Sequence, residues 1–543
     1  MREEFGQPLQ ILMAVVGLVL LIASANLASL MFARATSRNK EIAVRKALGA
    51  SRSRLVRQLL TECLLLSCAG AVLGVVFARW GAALLVRYIS TAQNHVFLDL
   101  SLDAYVLGFS AVIAVLTAFL FGVFPALRST RVSLTAAMKG GPAEVGGQRM
   151  LVRPGKWIVA SQVAFSLVLV IAAGLFLRSL VKLMTLDLGF DRSNVLLVNV
   201  NLKAAHIPPT ERLALFDEIQ ARLRSLPGIV SAGRSVRTPV SNFEWNQFVQ
   251  VDSQTRPKGD DALVYFNFVS PGYFQTLRTP LLAGRDFNES DSKTSVQVAI
   301  VNETFVRKFL PDTNPVGHVL HKVEDQKSSQ SIQIVGLVRD SKYESLREDN
   351  FSQAFFPLSQ IPDSDESENF EVRTANRPSA FVSSVQNAIG QVNKAVSLDF
   401  HSLAEQVDDS IVQERLLATL SAFFGALALL LAMIGLYGAI SYLVTQRRGE
   451  FGVRMALGAP RTSILKLVMS EVAVILLVGA LAGVALSLAS VRVLQKLLFG
   501  LSTQDTVTIA GAIALLTAVA LFAGYIPARR AMRTDPMVAL RYE

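Results

Sequence analysis

Seven stretches of this chain are long and apolar enough to cross a bilayer: residues 9–33, 59–86, 104–127, 157–177, 416–445, 465–491 and 506–526. A spanning helix needs about 20 mostly apolar residues, and hydrocarbon admits only backbone whose N–H and C=O groups are satisfied internally. Seven such runs in 543 residues exclude a soluble globular chain and predict a polytopic α-helical membrane protein. Charged residues make up 17% of the sequence, against roughly 25% in an average soluble domain. The third and seventh runs end in Pro-Ala, at Pro125-Ala126 and Pro527-Ala528, where a helix leaving the interface tolerates proline.

The distribution of charge orients these helices. Residues 187–409 hold 22 Lys/Arg and 29 Asp/Glu, a balance of −7 within a chain of net charge +11, so the remainder carries +18. That positive charge lies in short loops beside the spans, as the positive-inside rule requires. It does not gather into a nucleic-acid footprint, and no nucleic-acid partner is expected. The loop over residues 34–57 has eight Lys/Arg and the loop over 128–156 has six, while the loops on the other side have few. The basic loops therefore face the cytoplasm. The chain as given starts outside, crosses seven times and ends in the cytoplasm, with residues 187–409 outside. A start outside with no leader or earlier span predicts a missing N-terminal part. Cys63 and Cys68 read as small packing residues of an apolar run, and the outer segment has no disulfide framework.

The sequence repeats itself. Glu41-Ile-Ala-Val-Arg-Lys-Ala-Leu-Gly-Ala50 returns as Glu450-Phe-Gly-Val-Arg-Met-Ala-Leu-Gly-Ala459, 409 positions on. At the same offset Arg38 matches Arg447, Glu62 matches Glu471, Gly70 matches Gly479 and Gly74 matches Gly483. Further along, the offset becomes 402, with Asp103 matching Asp505 and Arg128 matching Arg530. Each copy reads as span, basic cytoplasmic loop, span, short outer loop, span and basic tail. Both copies run the same way through the membrane, so the repeat is parallel. The second copy carries an additional opening span and the outer segment; the first is expected to lack both.

The repeated loops have helical spacing. Glu41, Arg45 and Gly49, like Glu450, Arg454 and Gly458, fall at i, i+4 and i+8. Glutamate four residues ahead of arginine supports a short helix, and glycine is a plausible stop. Val44, Ala47 and Leu48 give the first helix an apolar side, and Ala50 closes the matched run. Val453, Ala456, Leu457 and Ala459 are the corresponding residues of the second. Arg52, Arg54 and Arg57 can then meet anionic lipid headgroups. A surface kept alike in two halves of one chain points to similar partner surfaces.

The outer segment alternates strands and helices. Strands are expected at residues 195–202, 262–269, 296–301, 331–338, 353–357 and 370–374, and helices at 209–226, 303–309, 379–392 and 403–412. This predicts an α+β domain large enough to bury its own core. His318 and His321 form an H-x-x-H without a clear third ligand, so no metal site is expected. The chain has no G-x-x-x-x-G-K-[ST], G-x-S-x-G, H-E-x-x-H or C-x-x-C. It therefore has no nucleotide site of the Walker type, no catalytic constellation and no implied cofactor. Few ionisable residues fall within the spans, which argues against an ion-coupled carrier.

The repeated E-[IF]-[AG]-V-R-x-A-L-G-A loop, the glycine-dotted span after it and the Pro-Ala exit resemble the FtsX-like permease domain. Pro271-Gly-Tyr-Phe274, Leu281-Leu-Ala-Gly-Arg-Asp-Phe287, Val298-Ala-Ile-Val-Asn-Glu-Thr-Phe305 and Ile334-Val-Gly-Leu-Val-Arg-Asp340 resemble the periplasmic core domain of MacB-type permeases. The duplicated arrangement is similar to the acidobacterial-type orphan permeases, whose ATPase is a separate chain. The resemblance divides the sequence into a first FtsX-like module (1–138), a cytoplasmic linker (139–156), the first span and stalk of the second module (157–184), a periplasmic MacB-type domain (185–412) and the rest of the second module (413–543). It implies a non-catalytic permease subunit of a type VII ABC transporter in a bacterial inner membrane. ATP hydrolysis on a cytoplasmic MacB-type ATPase would move the helices and reshape the outer domain, exporting or extracting a periplasmic substrate. Residues 41–50 and 450–459 would face that ATPase. Membrane lipid, a second permease or a second copy of the chain, and a periplasmic adaptor are the further partners it implies. A signalling or scaffold role toward a periplasmic partner is the alternative for the same architecture.

Overall fold

A computed structural model describes residues 2–37, 52–89, 108, 112, 115, 148–243, 245–252, 263–324, 327–361, 365–494, 498–500 and 505–532. They fall into two units: residues 1–182 with 414–543, and residues 183–413. The first unit opens with helices α1 (Arg2–Ser37), α2 (Arg52–Ile89) and α3 (Gln148–Met184).

The second unit is an α+β fold of two lobes. Strand β1 (Val195–Asn201) is followed by α4 (Pro209–Arg224), β2 (Ile229–Ser235), β3 (Asn246–Val251), β4 (Leu263–Val269), α5 (Tyr273–Leu277) and β5 (Leu281–Gly284). Next come β6 (Val298–Asn302), α6 (Glu303–Phe309), β7 (Val319–Glu324), β8 (Lys327–Val338), β9 (Gln353–Pro357), β10 (Ser367–Thr374), α7 (Val382–Val392), β11 (Ser397–Ser402) and α8 (Leu403–Asp409). One lobe is the antiparallel ladder β11-β1-β10-β2. Alternation puts Leu196, Val198, Phe370 and Val372 on one face, against Phe216, Ile219 and Leu223 of α4 and Val385 and Ile389 of α7. In the other lobe β4-β3-β7-β8-β6-β9 close into a ring, because β9 also pairs in parallel with β4. Val249, Phe266, Val301, Ile334 and Phe356 fill its core, and a closed ring leaves no long unpaired edge. The two lobes meet where β2 pairs with β4, at Ser235 and Val269.

The expected strand at 353–357 and helix at 303–309 have those bounds. The helix expected from 209 ends at Arg224, and the one expected over 403–412 ends at Asp409. Strands β2, β3, β5, β7 and β11 were not expected from sequence. β2 carries Gly233 and a buried Arg234, which break the apolar alternation that marks a strand.

The first unit resumes with α9 (Val412–Gln446), α10 (Arg448–Ala456), α11 (Arg461–Leu494) and α12 (Thr506–Met532). Among the described residues, five helices are long and apolar enough to span a membrane: 10–27, 156–184, 412–446, 461–490 and 506–532. The run at 59–86 lies in α2, where the apolar part described is Cys68–Gly81. The run at 104–127 lies almost wholly outside the described residues. Lipid tails are as apolar as leucine, so such helices associate through close packing. Val163 and Leu167 of α3, Leu436 and Ile440 of α9, Val468 and Val472 of α11, and Leu516 and Ala520 of α12 share one core. Two glycines notch α11 for α3: a Cβ on Gly479 would lie 2.6 Å from Val163 Cγ1, and one on Gly483 2.9 Å from the Ala164 carbonyl oxygen.

Candidate functional site

The repeated loop is described in its second copy. Residues Glu41, Val44, Arg45, Ala47, Leu48, Gly49 and Ala50 lie outside the described residues. In the second copy, α9 ends at Gln446 and Arg447 caps α10. Glu450 sits in the first turn of α10, where the helix dipole favours an acid. It pairs with Arg454 four residues on, at 2.7 Å. Gly458 ends the helix with φ of +90°, a conformation that disfavours any residue with a Cβ. Its N–H donates to the Met455 carbonyl, and the Ala459 N–H donates to the Arg454 carbonyl, which is the Schellman pattern. Pro460 follows, and α11 starts at Arg461.

The two sides of α10 differ. Phe451 is 1% exposed and belongs to the core that joins α3, α9, α11 and α12. Burying a phenylalanine ring contributes about 1.5–3 kcal/mol, so Phe451 holds the short helix down. Val453 and Leu457, one turn apart, are 43% and 82% exposed. Glu450, Arg454 and Ala456 are exposed beside them. In the second copy, then, Val453 and Leu457 project outward, and Phe451, which has no aromatic counterpart at Ile42, supplies the anchor. Sequence reasoning missed that anchor because Ile42 and Phe451 differ between the copies. The base of α10 is fixed through Arg447, whose Nη1 lies 2.9 Å from Glu471 Oε1 on α11. Lys156 of α3 lies 3.4 Å from the other oxygen of Glu471.

The α+β unit holds buried charge but no catalytic array among its described residues. Arg234 is 2% exposed, and its Nη1 lies 2.8 Å from Oε2 of the equally buried Glu368. Its Nε donates to Gln220 at 2.9 Å, and it also pairs with Asp217. The guanidinium lies 6.0 and 5.8 Å from the ring centres of Phe216 and Phe370. Glu371, fully buried on the opposite face of β10, accepts a hydrogen bond from the Ser235 hydroxyl. Burial pushes its carboxyl up to about 8. His318 Nδ1 lies 2.6 Å from Asp252. No group of three or more His, Cys, Asp or Glu side chains suited to a metal occurs among the described residues. A polar recess of about 240 Å³ is lined by Asp187, Glu303, Arg339 and Asp340. Thr304, Arg307 and Asn350 already take up the Asp340 carboxylate.

Apolar helices packed through glycine notches, a short basic helix between two of them and an α+β unit with a ring of strands fit a helical membrane protein with a folded α+β domain. The FtsX-like permease C-terminal family model matches residues 13–134 and again 422–536. The MacB-like periplasmic core domain model matches residues 158–396. The chain belongs to the FtsX/MacB-type ABC permeases. It is 27% identical over 326 residues to a probable export ATP-binding/permease protein of Pseudomonas fluorescens, across 54% of this chain and 47% of that protein. It is 27% identical over 300 residues to the macrolide export ATP-binding/permease protein MacB of Acinetobacter baylyi, across 53% and 44%. It is 24% identical over 292 residues to the uncharacterized ABC transporter permease YknZ of Bacillus subtilis, across 52% and 70%. The chain thus spans about half the length of the first two of these relatives. Members of this family are membrane components of ABC transporters.

Proposed function

We propose that this chain is the permease subunit of an ATP-driven transporter whose ATPase is a separate cytoplasmic chain. The reading rests on one observation: α10 is clamped by Phe451 while it presents Val453 and Leu457 outward, 43% and 82% exposed. An isolated exposed side chain needs no explanation. Two apolar residues one turn apart, on a helix anchored by Phe451 and flanked by the Glu450–Arg454 pair, suit docking to a protein groove. Residues 41–50 supply the equivalent element of the first module. On this reading the basic loops and the C-terminus are cytoplasmic, and the α+β unit works outside as the MacB-type domain. Motion of the ATPase pulls α10, and Arg447–Glu471 and Phe451 pass it to α11 and α3. The outer domain then acts on a periplasmic substrate for export or extraction, with no chemistry performed by this chain.

A photo-crosslinking amino acid at Leu457 should capture an ATPase chain when the two are co-expressed in membranes. The same group at Ile464, buried one turn into α11, should not. Equal capture from both positions, or none from Leu457, contradicts the assignment.

A further inference from the structure

We infer that α1 and α9, the same helix in the two repeats, pack face to face through equivalent positions, with Asn26 of one fitted against Gly435 of the other so that the chain supplies both halves of its own transmembrane dimer. The offset of 409 residues that aligns the repeated loops also separates the starts of the two FtsX-like matches, at residues 13 and 422. Applied to α1, it pairs Val15 with Phe424, Leu18 with Leu427, Val19 with Ala428 and Ile22 with Leu431. All eight of these residues meet in a single apolar cluster, together with Leu169 and Phe165 of α3. A contact in which the same positions of two copies face each other is isologous, the signature of a two-fold axis. Here the axis relates two segments of one chain.

The offset also maps Asn26 onto Gly435, and at this pair the symmetry is broken. Asn26 is 5% exposed. Its Nδ2 donates to the Leu431 carbonyl at 2.7 Å. Gln162 of α3, 2% exposed, donates to Asn26 Oδ1 and to the same carbonyl, each at 2.9 Å. A Cβ on Gly435 would stand 2.2 Å from Asn26 Oδ1 and 2.5 Å from Gln162 Oε1. The amide pair therefore occupies the space that a side chain at 435 would need. A buried polar residue at a helix interface fixes register and partner. Asparagine opposite glycine is satisfied in this arrangement. Two α9 helices would leave a gap here, and two α1 helices would have to fit a second side chain where the Gly435 backbone now lies against Asn26 Oδ1. The pair within the chain fills this space and satisfies the amide, which favours it over pairing through the same helices of two chains.

The test uses the full chain in native membranes, with Cys63 and Cys68 replaced by serine and a protease site inserted at residues 139–147. Ile22→Cys and Leu431→Cys are introduced together and oxidised with copper phenanthroline. After proteolysis the two fragments should stay joined until reduced. Fragments that separate without reductant, or crosslinks found only at twice the chain mass, would overturn the intrachain pairing. The Asn–Gly fit is read separately by thermal unfolding in detergent. Gly435→Ala should lower the midpoint, and adding Asn26→Ala, which removes the obstructing amide, should recover most of that loss. Strictly additive effects overturn the fit, even where the crosslink forms. Neither measurement involves an ATPase, so the outcome is independent of the proposed function.

Discussion

Arg447 Nη1 lies 2.9 Å from Glu471 Oε1, and this pair joins the start of α10 to the next transmembrane helix. Arg447 is 35% exposed and Glu471 16%, so solvent screens the pair and its worth to stability is at most about 1 kcal/mol. Its value on the proposed reading lies in transmitting force. Glu471→Gln should leave expression and thermal unfolding nearly unchanged while lowering ATPase stimulation by the permease several-fold. An equal loss of stability and stimulation would make the pair merely structural.

Gly458 carries a φ of +90° at the end of α10. Gly458→Ala forces a side chain into that conformation and should cost about 1 kcal/mol, confined to the last turn of the helix. Hydrogen exchange should quicken at Leu457, Gly458 and Ala459, whose N–H groups make the cap, and stay unchanged in α11 beyond Ile464.

Arg234 and Glu368 form an ion pair with both side chains almost wholly buried, at 2% and 1% exposure. Removing one partner strands the other in the interior. Arg234→Ala should therefore destabilise the α+β unit by about 3 kcal/mol, seen as a lower first unfolding transition of the full chain. Arg234→Met with Glu368→Leu replaces the pair by apolar volume and should cost much less. Equal losses for the single and double variants would show that packing, not charge, decides the site.

Glu371 gives a pH dependence. Burial raises its carboxyl from the usual 4.5 to about 8 in the folded protein. The folded state thus holds a proton that the unfolded chain releases above about pH 4.5. Its contribution is fully present below that value and is lost as pH rises toward 8. Melting of the full chain followed from pH 5 to pH 8.5 should show falling stability of the α+β unit. Glu371→Gln should reduce that slope, part of the remainder coming from Glu368, whose carboxyl is raised by burial to about 7, and an unchanged slope would place the titrating group elsewhere.

Much of the helical organisation was legible because apolar length is a strong signal. The helix over Glu303–Phe309 could be read since Asn302 is a good cap and the apolar residues follow helical spacing. Strand β11 was not legible: Ser397, Asp399, His401 and Ser402 look like a loop, and pairing with β1 makes them a strand. At the candidate site, the Glu450–Arg454 spacing and the Gly458 stop follow from local rules. The outward turn of Val453 and Leu457 does not, because it depends on Phe451 finding a pocket among distant helices. Asn26 was invisible for the same reason, since its partners Gln162, Leu431 and Gly435 lie far along the chain.

On the proposed reading, the exposed edge of α10 formed by Val453 and Leu457 receives an ATPase. The direct measurement is ATP hydrolysis by the co-purified pair in lipid nanodiscs, comparing the wild-type chain with Leu457→Asp. Leu457 is 82% exposed, so the substitution should change stability by less than about 0.5 kcal/mol. The Leu457→Asp permease should be intact and membrane-inserted but should no longer retain or stimulate the ATPase. Full retention and stimulation with Leu457→Asp and Val453→Asp combined would contradict that reading.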